Sequence, residues 1–148
     1  MKISEKTARR IMETIISEAC ATEDENGIKK HRDASGVMSI KTRTVKANQW
    51  EQPGVYLTQA TSLEEAPRMG CGVMELDSDG SLEWTLTYDE YDYVVEGILQ
   101  IEVDGRTVTG CEGDIIYIPK NTHVIFKTPC GTRYAYFVYP AEVVEEIL

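Results

Sequence analysis

Three oxygen-bearing side chains stand at alternate positions in the middle of this chain: Tyr88, Glu90 and Asp92. In an extended strand successive side chains point to opposite faces, so the three share one face and the two carboxylates lie about 7 Å apart. Carboxylates at that separation raise each other's pKa unless a proton, a Lys or Arg, or a divalent ion intervenes. The set contains no imidazole. It suits a hard cation such as Mg²⁺, held by one or two carboxylates and substrate phosphates, rather than Zn²⁺, Fe²⁺ or Cu²⁺. Trp84 falls on the same parity, where an aromatic ring can stack on a base or sugar or simply pack into a core. The bland alternative for the trio is a polar network satisfied by backbone and water, with no turnover.

These residues sit in a run of short extended segments. Asp104-Gly105 is a two-residue hairpin signal between Leu99, Ile101 and Val103 on one side and Val108 on the other. Apolar runs recur at 37–45, 55–58, 71–76, 82–88, 91–96, 99–103, 107–111, 114–118, 124–127 and 133–139. Turn-forming residues separate them at Gln52-Pro53-Gly54, Asp77-Ser78-Asp79-Gly80, Glu112-Gly113 and Pro129-Cys130-Gly131. No helix-length segment lies between strands, so the pattern is a sandwich or barrel and not a Rossmann fold. No G-x-x-x-x-G-K-[ST] phosphate loop is present either.

Two blocks in this region resemble the cupin family. In the first, Glu90 is followed after six residues by Gly97; in the second, Gly113 is separated by five residues from Pro119, with Lys120-Asn121 completing the turn. The resemblance implies an all-β, cupin-type double-stranded β-helix, a jelly-roll barrel, with Glu90 facing its interior. The ligand set departs from the family pattern. The places of its paired His fall on Trp84 and Leu86, or on Glu83 and Thr85, and the place of its last His falls on Val124. His123 is one residue early, which on a strand means the opposite face, unless a bulge at Asn121-Thr122 swings it inward. Of the four usual ligands only Glu90 remains, so no tightly bound transition metal is expected, and a metal-dependent dioxygenase or isomerase is disfavoured.

Within the cupins, the run from Trp84 to Asp92, then Val94-Val95-Glu96-Gly97, Ile118-Pro119-Lys120, and Arg133 with Tyr139-Pro140-Ala141, resemble the EutQ family of ethanolamine utilisation. What this implies is a microcompartment-associated, cytoplasmic acetate kinase interconverting ATP and acetate with ADP and acetyl phosphate. On that reading Glu90 and Asp92 hold Mg²⁺ bridging the phosphates of ATP and Tyr88 orients the acetate carboxylate. Trp84 with Lys120 or Arg133 contacts the substrate, the basic group offsetting charge on the transferred phosphoryl group. The other reading is a non-catalytic cupin acting as a scaffolding or interaction module of the microcompartment.

Composition sets the remaining bounds. At 148 residues the chain is long enough for one barrel domain, residues 37–148, preceded by an arm, residues 1–36. A net charge of −10 argues against nucleic acid and anionic membranes as partners. Cys20, Cys71, Cys111 and Cys130 form no C-x-x-C pair, and no apolar run of membrane-spanning length occurs, as for a cytosolic protein with reduced thiols. After Ser4, a candidate N-cap, Ala8, Ile11, Met12, Ile15, Ile16 and Ala19 form one face of an amphipathic helix. That face must meet the chain's own barrel, a second subunit or a groove on a microcompartment shell. Residues 21–36, crowded with charge and including His31, are expected as a solvated linker. Tyr134, Tyr136 and Tyr139 suit core or a dimer interface, residues 141–148 suit a short C-terminal helix, and a homodimer follows from the cupin resemblance, with strand 37–45 as an edge to be covered.

Overall fold

Ser4 is an N-cap: its hydroxyl accepts from the Thr7 amide, and Glu5 in the first turn complements the helix dipole. The helix it starts, α1 (Glu5–Cys20), is the one expected from periodicity, and none of its residues is buried. The structure is a computed structural model and describes residues 2–143. It falls into two units, Met1–Val45 and Lys46–Leu148.

In the first unit the segment expected as a linker is a three-stranded antiparallel sheet, β1 (Thr22–Glu23), β2 (Lys29–Arg32) and β3 (Met38–Ile40). Two Asx turns make it possible. The Asp24 carboxylate accepts from the amides of Asn26 and Ile28, each at 2.9 Å, and the Asp33 carboxylate accepts from the Ser35 amide at 2.7 Å. Gly27 and Gly36 then close the turns with positive φ. Lys30, nearly buried, pairs with Asp24 at 3.0 Å. The expected barrel strand 37–45 is therefore corrected: only 38–40 is extended, and it pairs with β2 rather than with the barrel.

The second unit is a curled nine-stranded sheet. Its strands are β4 (Asn48–Gln49), β5 (Val55–Gln59), β6 (Gly70–Leu76), β7 (Ser81–Thr85), β8 (Asp89–Val103), β9 (Arg106–Cys111), β10 (Ile115–Ile118), β11 (His123–Lys127) and β12 (Thr132–Tyr139). The main path runs β4-β5-β6-β12-β8-β11-β7, with β9 and β10 also on β8. The two expected segments 91–96 and 99–103 are one strand, and β8 organises the barrel. Its first half pairs with β12 and β10, its second with β11 and β9.

The change of sheet falls at Gly97. There φ is +76°, and a Cβ would stand 2.1 Å from the Gly131 carbonyl oxygen, so only glycine fits. Inward parity also flips there: Glu90, Asp92 and Val94 are buried before it, Leu99 and Ile101 after it. The hairpin at Asp104-Gly105 is as expected, with both residues at positive φ. Inside the barrel, Leu57, Leu82, Leu86, Ile116, Ile118, Val124 and Phe126 join the core around β8. The expected C-terminal helix lies, beyond residue 143, outside the described residues.

Candidate functional site

Glu90 and Asp92 are carried inward by the first half of β8, and register fixes their neighbours. Glu90 stands between Ile118 of β10 and Val138 of β12; Asp92 stands between Ile116 and Tyr136. Tyr88 precedes the strand, in the turn after β7, yet its side chain is also buried. Glu90 and Asp92 share the inward side of β8, whereas Tyr88 reaches Glu90 from the preceding turn and not from the strand.

Tyr88 and Glu90, but not Asp92, border a narrow cavity of about 30 Å³ that is also lined by Trp50, Met74, Leu82, Trp84, Phe126, Tyr134 and Tyr136. All of these are buried except the half-buried Trp50 and Trp84. Their rings meet edge to face, with centroids 5.7 Å apart. The volume admits roughly two water molecules or one ligand of a few heavy atoms. It does not admit a nucleotide.

The electrostatics follow from burial without a counter-ion. No Lys, Arg or His lines the cavity. Burial pushes the Glu90 carboxyl up to about 7, an effect its hydrogen bond with Asp92 partly offsets. Asp92 is fully buried, and burial, then the charge of Glu90, holds its carboxyl well above the usual range. Neither oxygen of Asp92 has a hydrogen-bond partner among the described residues. Burial therefore holds both acids toward their protonated forms. Burial and the adjacent acids also raise the hydroxyls of Tyr88, Tyr134 and Tyr136, so all three remain protonated.

Mg²⁺ fits this pair poorly. It demands octahedral oxygen coordination and keeps several waters, whereas Asp92 lies behind the cavity wall and the free volume is about 30 Å³. Among the described residues no three His, Cys, Asp or Glu stand together as a metal site. What burial favours is the neutral, protonated form of each acid.

Of the other expected site residues, Trp84 is in place and the basic pair is not. Lys120 is exposed, and its backbone amide donates to Asp89 on the outer surface at 2.9 Å. Arg133 points outward from β12 and pairs with Glu75 in a shallow groove that also includes Asp77 and Glu96. An odd–even count explains Arg133: on β12 the inward residues are Thr132, Tyr134, Tyr136 and Val138. His123 is likewise outward and exposed, its Nδ1 2.7 Å from the Thr85 hydroxyl and its Nε2 2.9 Å from Glu83.

Six lining residues were not expected at the site, the apolar Met74, Leu82 and Phe126 among them. Tyr134 and Tyr136 share inward parity on β12, a signal present in the sequence; Tyr139, grouped with them there, is outward and exposed. Trp50 reaches the cavity from the β4–β5 turn, and no local pattern marks it.

A curled antiparallel sheet of this kind is the fold of the cupins. An RmlC-like cupin from Shewanella frigidimarina matches it with a TM-score of 0.57 at 17% identity, over 67% of this chain and 86% of that one. The family described as Ethanolamine utilisation protein EutQ matches residues 3–145, and the chain belongs to that family. It is 40% identical over 145 residues to the acetate kinase EutQ of Clostridioides difficile, covering 93% of this chain and 90% of that protein. The solved EutQ structure from Clostridium difficile matches with a TM-score of 0.74, over 80% of this chain and 99% of that one.

Proposed function

We propose that this EutQ-family cupin is an acetate kinase of ethanolamine utilisation, interconverting ATP and acetate with ADP and acetyl phosphate. The observation that carries the reading is the cavity itself. Its size suits a two-carbon acid, and its wall offers the carboxyl of Glu90 and the hydroxyl of Tyr88 beside an apolar surface of Met74, Leu82 and Phe126. The name of the Clostridioides difficile relative supports the reaction.

In the forward direction a carboxylate oxygen of acetate attacks the γ-phosphorus of ATP, forming the new P–O bond as the bond to ADP breaks. Glu90 in its protonated form and Tyr88 donate to the other acetate oxygen, and the methyl group rests on Met74, Leu82 and Phe126. Trp50 and Trp84 exclude water from the reacting oxygen, which limits loss of acetyl phosphate to hydrolysis. Asp92 is a positioning residue, fully buried on β8 two residues from Glu90 and on the same inward side. ATP remains outside the cavity, and Mg²⁺ accompanies its phosphates, where it supplies charge neutralisation.

On the same reading the protein acts in the cytoplasm, associated with a microcompartment. The apolar side chains of Ile11, Met12, Ile15 and Ile16, all exposed along α1, are the surface for a shell partner.

A second reading, a non-catalytic scaffolding module, is favoured by one observation: no cation lines the cavity to meet a phosphate. Intrinsic fluorescence separates the two. Both tryptophans of the chain border the cavity, so emission reports its occupancy. Saturable quenching by acetate supports the kinase reading, and emission unaffected by acetate or acetyl phosphate opposes it.

A further inference from the structure

The cavity at Glu90 carries chemistry that phosphoryl transfer leaves unused. Six of its nine lining residues are aromatic: Trp50, Trp84, Tyr88, Phe126, Tyr134 and Tyr136. The other three are Met74, Leu82 and a single acid, Glu90. Glu90 is only 6% exposed, and no Lys, Arg or His shares the wall with it. The face of an aromatic ring carries partial negative charge, so rings and carboxylate present the same sign to whatever lies between them.

That sign discriminates among ligands of one size. An anion or a neutral molecule leaves Glu90 to keep its proton, and only a cation gains from the rings and the carboxylate together. A metal ion does not suit the wall: hard cations take about six oxygen ligands and hold their waters, and a single carboxylate lines this space. An ammonium group on a short alkyl chain does suit it. Its N–H groups donate to Glu90 in a charge-assisted hydrogen bond, its charge lies against the rings, and its carbon atoms rest on Met74, Leu82 and Phe126. The volume of about 30 Å³ restricts the chain to a few heavy atoms.

We infer that the cavity binds a small primary alkylammonium ion, with Glu90 as its counter-ion and the indoles of Trp50 and Trp84 as aromatic walls. Burial holds Glu90 toward its protonated form; the ammonium ion takes the proton's place as the positive charge beside the carboxylate, and the proton leaves to solvent. The inference goes beyond the kinase reading and does not rest on it. Where both hold, one cavity takes either an acid or an amine, and the amine competes with acetate.

Tryptophan emission of the whole protein, titrated with ethylammonium chloride at constant ionic strength, tests it. Sodium chloride controls for charge, and ethanol, with the same number of heavy atoms as ethylammonium, controls for size. The expected result is a saturable change with ethylammonium and none with either control. In Glu90→Gln the apparent affinity is expected to fall at least about tenfold, and in Trp84→Leu, read by the emission of Trp50, about fivefold. Circular dichroism reports whether each variant is folded, and Trp84→Leu, at a half-buried position, reads the same site should Glu90→Gln lose its fold. Emission that responds to ethylammonium no more than to sodium chloride overturns the inference, and with saturable quenching by acetate it leaves the kinase reading standing. An affinity unchanged in the folded variants also overturns it. A response to ethylammonium without one to acetate supports the inference and opposes the kinase reading instead.

Discussion

Asp92 and Tyr136 face each other across the β8–β12 register, and neither the carboxylate oxygens of the one nor the hydroxyl of the other has a hydrogen-bond partner among the described residues. A buried hydroxyl without a partner costs about 1–3 kcal/mol of desolvation. Tyr136→Phe removes that cost, and the ring itself is retained. The expected result is a gain of up to about 1 kcal/mol in unfolding free energy, measured by denaturant titration. A loss of stability instead would mean that the hydroxyl is satisfied.

The Tyr136 ring also explains a glycine. A Cβ on Gly72 would stand 2.2 Å from the Tyr136 hydroxyl oxygen and 2.6 Å from the Thr58 carbonyl oxygen. Gly72→Ala is therefore expected to cost about 3 kcal/mol, by analogy with overpacked cores. Because one of the blocking atoms is backbone, the combination with Tyr136→Phe should recover only part of it.

The acid pair makes stability depend on pH, and the sign follows from the direction of the shifts. Glu90 rises from its ordinary 4.5 to about 7, and Asp92 also lies above its ordinary 3.8. Between those limits the folded protein binds more protons than the unfolded chain, so raising the pH favours unfolding. The contribution is fully present below about pH 4 and is lost as the pH climbs through 7. The melting temperature is expected to fall across that window. In Glu90→Gln the slope is expected to be shallower and the midpoint above pH 7 higher than in the parent. A parent whose melting temperature rises steadily over the same range would contradict the assignment.

Gly97 carries the turn of β8 from one half of the barrel to the other. Gly97→Ala forces a side chain into the left-handed region and against the Gly131 carbonyl. A loss of at least about 2 kcal/mol is expected, from the strain and the clash together. Thermal unfolding is the measurement, and a loss within experimental error would show that the bend relaxes elsewhere.

The small sheet of the first unit depends on Asp24. Asp24→Ala removes two amide acceptors and the partner 3.0 Å from Lys30. Faster hydrogen exchange at the Asn26 and Ile28 amides is expected, with the barrel amides of β8 unchanged. Protection that persists at both would show that the turn forms without the carboxylate.

Where the sequence was legible, physical periodicity made it so. Alternation along β8 placed Glu90 and Asp92 on one side, and Asp104-Gly105 announced its hairpin. Residues 21–36 misled because a count of charges hides turn chemistry: Asp24 to Gly27 and Asp33 to Gly36 are two Asx turns nine residues apart, enough to fold three short strands. Lys120 and Arg133 misled for another reason. Both belong to the resembled blocks, yet parity turns Arg133 outward and Lys120 contributes its backbone. Trp50 could not be found, because its place at the cavity depends on a hairpin packing against β7, a contact far apart in sequence.

The central claim is that the Glu90 cavity turns over acetate. Formation of acetyl phosphate from acetate and Mg²⁺-ATP by the purified protein tests it most directly, with Glu90→Gln prepared in parallel to exclude a contaminating kinase. The account predicts clear turnover in the parent and a fall of at least about a hundredfold in the folded variant, a loss of transition-state stabilisation near 3 kcal/mol. Equal rates in parent and variant would contradict it and leave the barrel as a binding or scaffolding module.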